Sequence, residues 1–308
     1  MRSNIGIDQA EGLRRILVRN QTQVITVVAG KSGAGRASTT INLASALARI
    51  GKDVLVLDEN HGPDNLLDHL GLYAEYDLLD VAQGKCAPEE AVLVTHGFSV
   101  LHTARAMSKF SMLDQTGQQR LADALTGING GVDVMLVYPL MPVLNKTKEQ
   151  FGHATVSSSM ANGAALLVVV DATASGITES YALIKRLALE NARSRFEILV
   201  NKVANEQAAL RVFENMAKVA RRNLAVRLEY LGYIPGDEKL RHAAQLGKPV
   251  VDVFPNAVSV KLFMEAAQKL LCLPIQQDED KNPIPCVIQK LIKQLARKNS
   301  RAIAYVAN

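Results

Sequence analysis

Cysteine is scarce in this chain: Cys86, Cys272 and Cys286 are the only three in 308 residues. They are an odd set without C-x-x-C spacing, so they imply neither a disulfide framework nor a zinc site, and a reducing, cytoplasmic setting suits them. The six histidines are scattered, without the spacing of metal ligands. No run of about 18 or more apolar residues exists, so no segment reads as a membrane span. The opening "MRSNIGIDQAEGLRRIL" carries acids and lacks an uninterrupted apolar stretch, so it does not read as a secretory signal. Internal repeats are absent. The chain also lacks a broadly basic body. Residues 281–308 hold six cations and no acid, which leaves the rest at −1 of the total +5. Basicity confined to a tail argues against an extended DNA-binding face, and no specific DNA contact is expected.

What is present is an ordinary globular composition, 48% hydrophobic and 21% charged, long enough for one large α/β unit or two small ones. "QVITVVAG" is a buried-strand run ending in glycine. It is followed by a glycine loop, by the helical "TTINLASALARIG" closed by Gly51, and by a second strand, "DVLVLD", that ends on Asp58. Strand, loop, helix, strand is a βαβ unit, with parallel pairing and a right-handed crossover. Further strands are expected at 98–103, 132–138, 165–171, 196–201 and 228–234, and helices at 112–127, 176–192, 205–223 and 256–272. The fold class is therefore α/β, a doubly wound, mostly parallel sheet flanked by helices, with ligands outside the carboxyl ends of the strands.

Organisation divides at composition shifts. Residues 1–20 contain an amphipathic segment, Asp8 to Arg19, with Ile7, Ala10, Leu13, Ile16 and Leu17 at helical spacing. Asp8 and Glu11 have the separation of a capping box, while Gly12 costs about 1 kcal/mol against Ala, so this helix needs a partner surface. Residues 21–272 form the main domain, 273–286 a polar, proline-bounded linker, and 287–308 a basic amphipathic tail. In the tail Val287, Ile288, Leu291, Ile292 and Leu295 make one stripe, with Lys290, Lys293, Arg297 and Lys298 opposite.

The loop "VVAGKSGAGRASTT", residues 27–40, is nearly a phosphate-binding loop. Gly30 and Gly35 keep the spacing of G-x-x-x-x-G-K-[ST], and Gly30, Gly33 and Gly35 let the backbone turn its N–H groups around an anion at a helix N-terminus. The alternative use of such a turn is tight packing. Arg36 stands at the lysine position, and Arg for Lys is not a neutral swap. Ala37 stands at the position of the magnesium-holding hydroxyl, with Ser38 one place too late.

Lys31, directly after Gly30, resembles the signature lysine of the deviant-Walker ATPases, the MinD/ParA group, whose loop reads K-G-G-x-G-K-[ST]. The resemblance implies that Lys31 reaches the phosphates of a partner in a nucleotide-sandwich homodimer. It implies ATP or ADP as ligand, held by Gly30, Lys31, Gly33, Ala34, Gly35, Arg36, Ala37 and Ser38, with Asp58 orienting the attacking water. It also exposes departures. The group's L-D-x-D is "LDEN" here, with Asn60 for the second acid. The strand that ends on the Walker B aspartate is "DVMLVYPL", with Tyr138 in that place. With two magnesium-linked positions lost together, at Ala37 and Tyr138, Mg²⁺ is not expected to be retained as in the group, and hydrolysis is expected to be impaired. Tyr138 either stacks on a base or fills the site.

"VNKV" (200–203) resembles the group's strand-end segment, where Asn201 would meet the adenine; the alternative is a turn cap. "LGYIPGDEKLRHAAQLGKPVVDVFPNA" resembles its G-x-I-P-x-D region near the base, which implicates Pro235 and Asp237; alternatively Asp237 caps a helix. "DQAEGLRRI" matches the D-Q-A-x-x-L-R activator segment of FlhG/FleN-type flagellar number regulators at Asp8, Gln9, Ala10, Leu13 and Arg14. That resemblance implies docking on an FlhF-type GTPase, contact with a flagellar transcriptional activator, and a tail that meets an anionic membrane surface at the inner face of the membrane or the cell pole. The tail's other reading is a helix docked on the body. The competing assignment is an active ParA/MinD-type ATPase in DNA segregation or cell-pole positioning. It requires clustered cations on the body, for which "VARRNLAVR" (219–227) supplies only Arg221, Arg222 and Arg227.

Overall fold

The computed structural model describes residues 22–60, 65–109, 112–128, 131–141, 165–191 and 193–274. The activator segment around Asp8–Arg14 and the tail stripe Val287–Leu295 lie outside them. Eight strands make one sheet: β1 Gln23–Ala29, β2 Val54–Asp58, β3 Val92–Thr95, β4 Phe98–His102, β5 Val134–Tyr138, β6 Ala165–Asp171, β7 Arg195–Val203 and β8 Arg227–Pro235. Their order is β3-β4-β2-β5-β1-β6-β7-β8. Every neighbouring pair is parallel except β3 and β4. The helices are α1 Arg36–Arg49, α2 Leu66–Leu70, α3 Leu78–Ala82, α4 Ala104–Lys109, α5 Gln115–Ile128, α6 Ala174–Asn191, α7 Glu206–Leu224, α8 Glu238–Gln245, α9 Val250–Val253 and α10 Val258–Leu271.

Both faces of the sheet are covered, which is why its strands read as continuous apolar runs rather than as alternation. Side chains still alternate between two layers. Ile25, Val27 and Ala29 of β1 face the layer that holds α1 and α10, together with Val56 of β2 and Val134, Leu136 and Tyr138 of β5. On the opposite face, Leu55, Leu57, Met135 and Val137 pack with α3 and α5, and Val28, Val168, Val170 and Ile198 pack with α6 and α7. Tyr138 therefore belongs to the same layer as α1. That placement decides what happens at the loop.

The expected strands all form, within one or two residues of their ends. Beyond them the structure adds β3, an antiparallel edge strand joined to β4 by His96 and Gly97. Both turn residues have positive φ, 47° and 81°, as a two-residue hairpin turn requires. Only Gly97 is a residue type usual there, and four residues of strand leave little pattern to detect. The short helices α2, α3, α4 and α9 are likewise too brief for a periodicity. Asp237 caps α8, accepting from Lys239 N at 2.9 Å and from the Ser259 hydroxyl at 2.7 Å. No helix among the described residues is long and apolar enough to cross a membrane.

One buried contact joins α1 to the α8–α9 turn. Asn42 accepts from the Val250 N–H at 2.7 Å while its amide donates to the Ser38 carbonyl at 2.8 Å. Asn42→Ala leaves the buried Val250 N–H without that acceptor, and should lower the unfolding free energy by about 1–3 kcal/mol in a urea titration.

Candidate functional site

Because the central strands are parallel, the carboxyl ends of β1, β2, β5, β6 and β7 lie along one edge of the sheet. In register, Asp58 pairs with Tyr138 and Asp171 with Asn201. The glycine loop runs from the end of β1 to α1, and a cavity of about 520 Å³ opens against it. Gly30, Lys31, Gly33, Gly35, Arg36, Ala37 and Ser38 all line this cavity. Ala34 is buried behind the loop, and Asp58, Asn201, Pro235 and Asp237 lie outside the lining.

Two glycines are required where they stand. A Cβ on Gly30 would sit 2.3 Å from the backbone at Glu179 and Ser180, so the loop presses directly on α6. Gly35 has φ 88° and packs so closely on Asn201 that a Cβ would lie 2.2 Å from its amide nitrogen.

The loop is braced from behind by two successive residues at the end of β7. Asn201 Nδ2 donates to the Ala34 carbonyl at 2.8 Å, and Lys202 Nζ donates to the Gly33 carbonyl at 2.5 Å. With those carbonyls tied to β7, the loop's backbone is held in one arrangement. Asn201, expected to meet an adenine, spends its amide on the loop. Lys202, in the left-handed region at φ 58°, also pairs with Asp171 at 3.2 Å. Burial works against ionisation of Asp171. The Thr173 backbone and hydroxyl and the Lys202 ammonium outweigh it and hold the carboxyl below its ordinary range. Lys202 sits in the same "VNKV" as Asn201, but no frame of residue types marks it.

Two of the departures, Arg36 in the loop and Tyr138 at the end of β5, turn out to be one contact. The Arg36 guanidinium lies over the Tyr138 ring, 3.8 Å from its centroid, and Nη1 donates to the Pro139 carbonyl at 2.6 Å. Arg36 is 6% exposed and Tyr138 0%. The cation is thus directed at the end of β5 and stacked there as cation on π-face. Of the two readings of Tyr138, filling the site is the one realised.

Asp58 is also committed. Its Oδ1 accepts from Asn60 N at 3.0 Å and its Oδ2 from Leu66 N at 2.7 Å, and the residue is fully buried. His102 Nδ1 lies 3.7 Å from Oδ2. Asp58 therefore organises the turn that follows β2. Lys31 Nζ donates to Ser175 Oγ at 2.7 Å, at the first turn of α6 in the same chain.

A phosphorylated nucleotide fits the cradle: the loop is intact, α1 presents its N-terminus, and the cavity has the volume of a small-molecule site. Lys31, Gly33, Gly35 and Ser38 would hold it. A magnesium ion does not fit in the same way. Ala37 offers no hydroxyl, Tyr138 no carboxylate, and Asn60 is neutral. No group of three or more His, Cys, Asp or Glu among the described residues is placed to hold a metal.

Arg36→Lys keeps the charge and loses the guanidinium that covers the ring. It should cost about 1–2 kcal/mol of stability in urea unfolding, whereas Tyr138→Phe, which keeps the ring face, should cost less.

The sequence profile of the CobQ/CobB/MinD/ParA nucleotide binding domain matches residues 25–250. The chain is similar to the antiactivator FleN of Pseudomonas aeruginosa, with 34% identity over 82% of this chain and 88% of that protein. It is also similar to the flagellum site-determining protein YlxH of Helicobacter pylori, 25% identical over 85% of this chain and 84% of that one. Among solved structures, the MinD cell division protein of Aquifex aeolicus superposes with a TM-score of 0.61 at 23% identity, covering 83% of this chain and all of that one. With the glycine loop at the end of β1, the parallel sheet and the FleN-like sequence in one molecule, the chain belongs to the CobQ/CobB/MinD/ParA nucleotide-binding family, as a member of its FleN/FlhG-type branch.

Proposed function

We propose that this protein is a flagellar regulator, acting on the number or placement of flagella through protein contacts, and that its nucleotide site is impaired in hydrolysis. The observation that carries the second half is the Arg36–Tyr138 stack. Phosphoryl transfer by this loop depends on a cation and a metal placed around the transferred group. Here the loop's cation is turned onto β5, and the ring it covers occupies the place of a metal-orienting acid. Asp58 has both carboxylate oxygens engaged by backbone N–H groups, which leaves it poorly suited to orient a water.

The first half is supported by similarity to a protein named an antiactivator and to one named flagellum site-determining. The partner-activating segment Asp8, Gln9, Ala10, Leu13 and Arg14 is proposed to dock on an FlhF-type GTPase, with a flagellar transcriptional activator as a second partner. The tail stripe Val287, Ile288, Leu291, Ile292 and Leu295 is proposed to meet anionic lipid at the inner membrane face. A homodimer belongs to the same proposal.

Two assays test it together. Phosphate release from ATP should stay at background, while the full chain should stimulate GTP hydrolysis by its FlhF-type partner, and Gln9→Ala should remove that stimulation. Steady phosphate release that scales with protein and stops in EDTA would favour an active MinD/ParA-type ATPase instead.

A further inference from the structure

The cavity at the glycine loop has an unusual charge inventory. Among the described residues that line it, Lys31 and Lys248 bring two ammonium groups against one carboxylate, Glu179, while the Arg36 guanidinium is turned onto Tyr138. The departures from the family's acids act in the same direction. Asn60, which lines the cavity, is neutral, and Tyr138 lies beneath Arg36. Asp58 lies outside the lining with both oxygens engaged. A site that uses a divalent cation needs carboxylates to hold it, and among the described residues the lining sets two ammonium groups against one carboxylate.

Lys248 is the cation not accounted for by the loop. It stands in the turn between α8 and α9, and that turn is fixed by its backbone. Lys248 N donates to Ala243 O at 3.0 Å, and Val250 N donates to the buried Asn42 on α1. Gly247, at φ 66°, packs on the end of α2 so closely that a Cβ would lie 3.1 Å from the Leu70 carbonyl. The Lys248 side chain is exposed on the cavity wall, and among the described residues its ammonium makes no hydrogen bond or ion pair. Lys31 approaches from the loop itself, tied among the described residues to the neutral Ser175 hydroxyl. Two ammonium groups from separate segments thus share a cavity walled on one side by a helix N-terminus, and such a field suits a multiply charged anion.

We propose that this cavity binds a polyphosphate chain without a divalent cation, with Lys248 and Lys31 supplying the positive charge that a metal supplies in hydrolytic sites of this fold. The inference rests on the reading that the site does not hydrolyse its ligand. A metal-free triphosphate carries more negative charge than its magnesium complex. In a cavity of net positive charge the free form is the better ligand, and magnesium competes by masking it. The shared chemistry is the phosphate chain, whether borne by a nucleoside or free.

Calorimetric titration of the full chain with ATP, ADP and inorganic tripolyphosphate, each in EDTA and in excess magnesium, tests this. ATP should bind in EDTA as tightly as in magnesium or up to about tenfold more tightly, with an affinity that falls as salt rises. Lys248→Gln should weaken binding about threefold to tenfold without moving the thermal midpoint, and Lys248→Arg should restore it. Tripolyphosphate matching ATP would support the proposal with the phosphate chain as sole determinant. ATP clearly preferred over tripolyphosphate would support it with a nucleoside as source.

Binding that magnesium tightens tenfold or more would overturn the proposal, as would an unchanged affinity in Lys248→Gln or no binding of any of the three. If nothing binds and phosphate release is also at background, the metal-free site falls while the hydrolysis-impaired regulator stands. If binding requires magnesium and phosphate is released, both fall.

Discussion

The guanidinium of Arg36 lies over the Tyr138 ring in the interior of the protein, and much of the site's character depends on that contact. It is possible because β5 alternates its side chains strictly. Val134, Leu136 and Tyr138 face the layer of α1, and Arg36 is the first residue of that helix. The last inward position of the strand and the first turn of the helix meet there. The ring and the guanidinium fill that junction, with the Pro139 carbonyl taking one N–H. Two departures far apart in the sequence, Arg36 and Tyr138, are thus one physical contact, a cation on a π-face.

What is retained is as informative as what is replaced. The loop is pressed on α6 at Gly30 and on Asn201 at Gly35, and its carbonyls at Gly33 and Ala34 are tied to β7. A loop whose only remaining role was to connect β1 to α1 would have no evident use for this bracing. The bracing fixes the loop's backbone, and among the described residues that line the cavity in front of it cations outnumber carboxylates. The loop's backbone is held at both glycines and both carbonyls, while Asp58 and Arg36 are engaged by their own neighbours in the fold.

The layout of the sheet was legible in the sequence because buried parallel strands are long apolar runs with glycine, aspartate or asparagine at their ends. The β1–loop–α1 unit was legible for the same reason, with glycine spacing as a second signal. The edge strand β3 was not, since four residues turned by His96–Gly97 carry little pattern. At the site, the identities of Arg36, Ala37, Asn60 and Tyr138 could be read as departures from a known frame. That Arg36 stacks on Tyr138 could not, because it depends on a register between β5 and α1 that is set by packing more than a hundred residues apart. Lys202 and Lys248 escaped notice because their importance comes from where the backbone delivers them. Asp58 could be read as a residue type kept at its motif position, but not that the N–H groups of Asn60 and Leu66 engage both its oxygens.

The most direct test of this account is a double-mutant cycle on the stack, with Arg36→Met, Tyr138→Leu and the double variant unfolded in urea under identical conditions. A coupling energy of about 1 kcal/mol or more between the two positions is predicted, since each side chain's contribution depends on the other. Additive effects, with no coupling beyond error, would mean that the two departures are independent, and the claim that they form one contact would be contradicted.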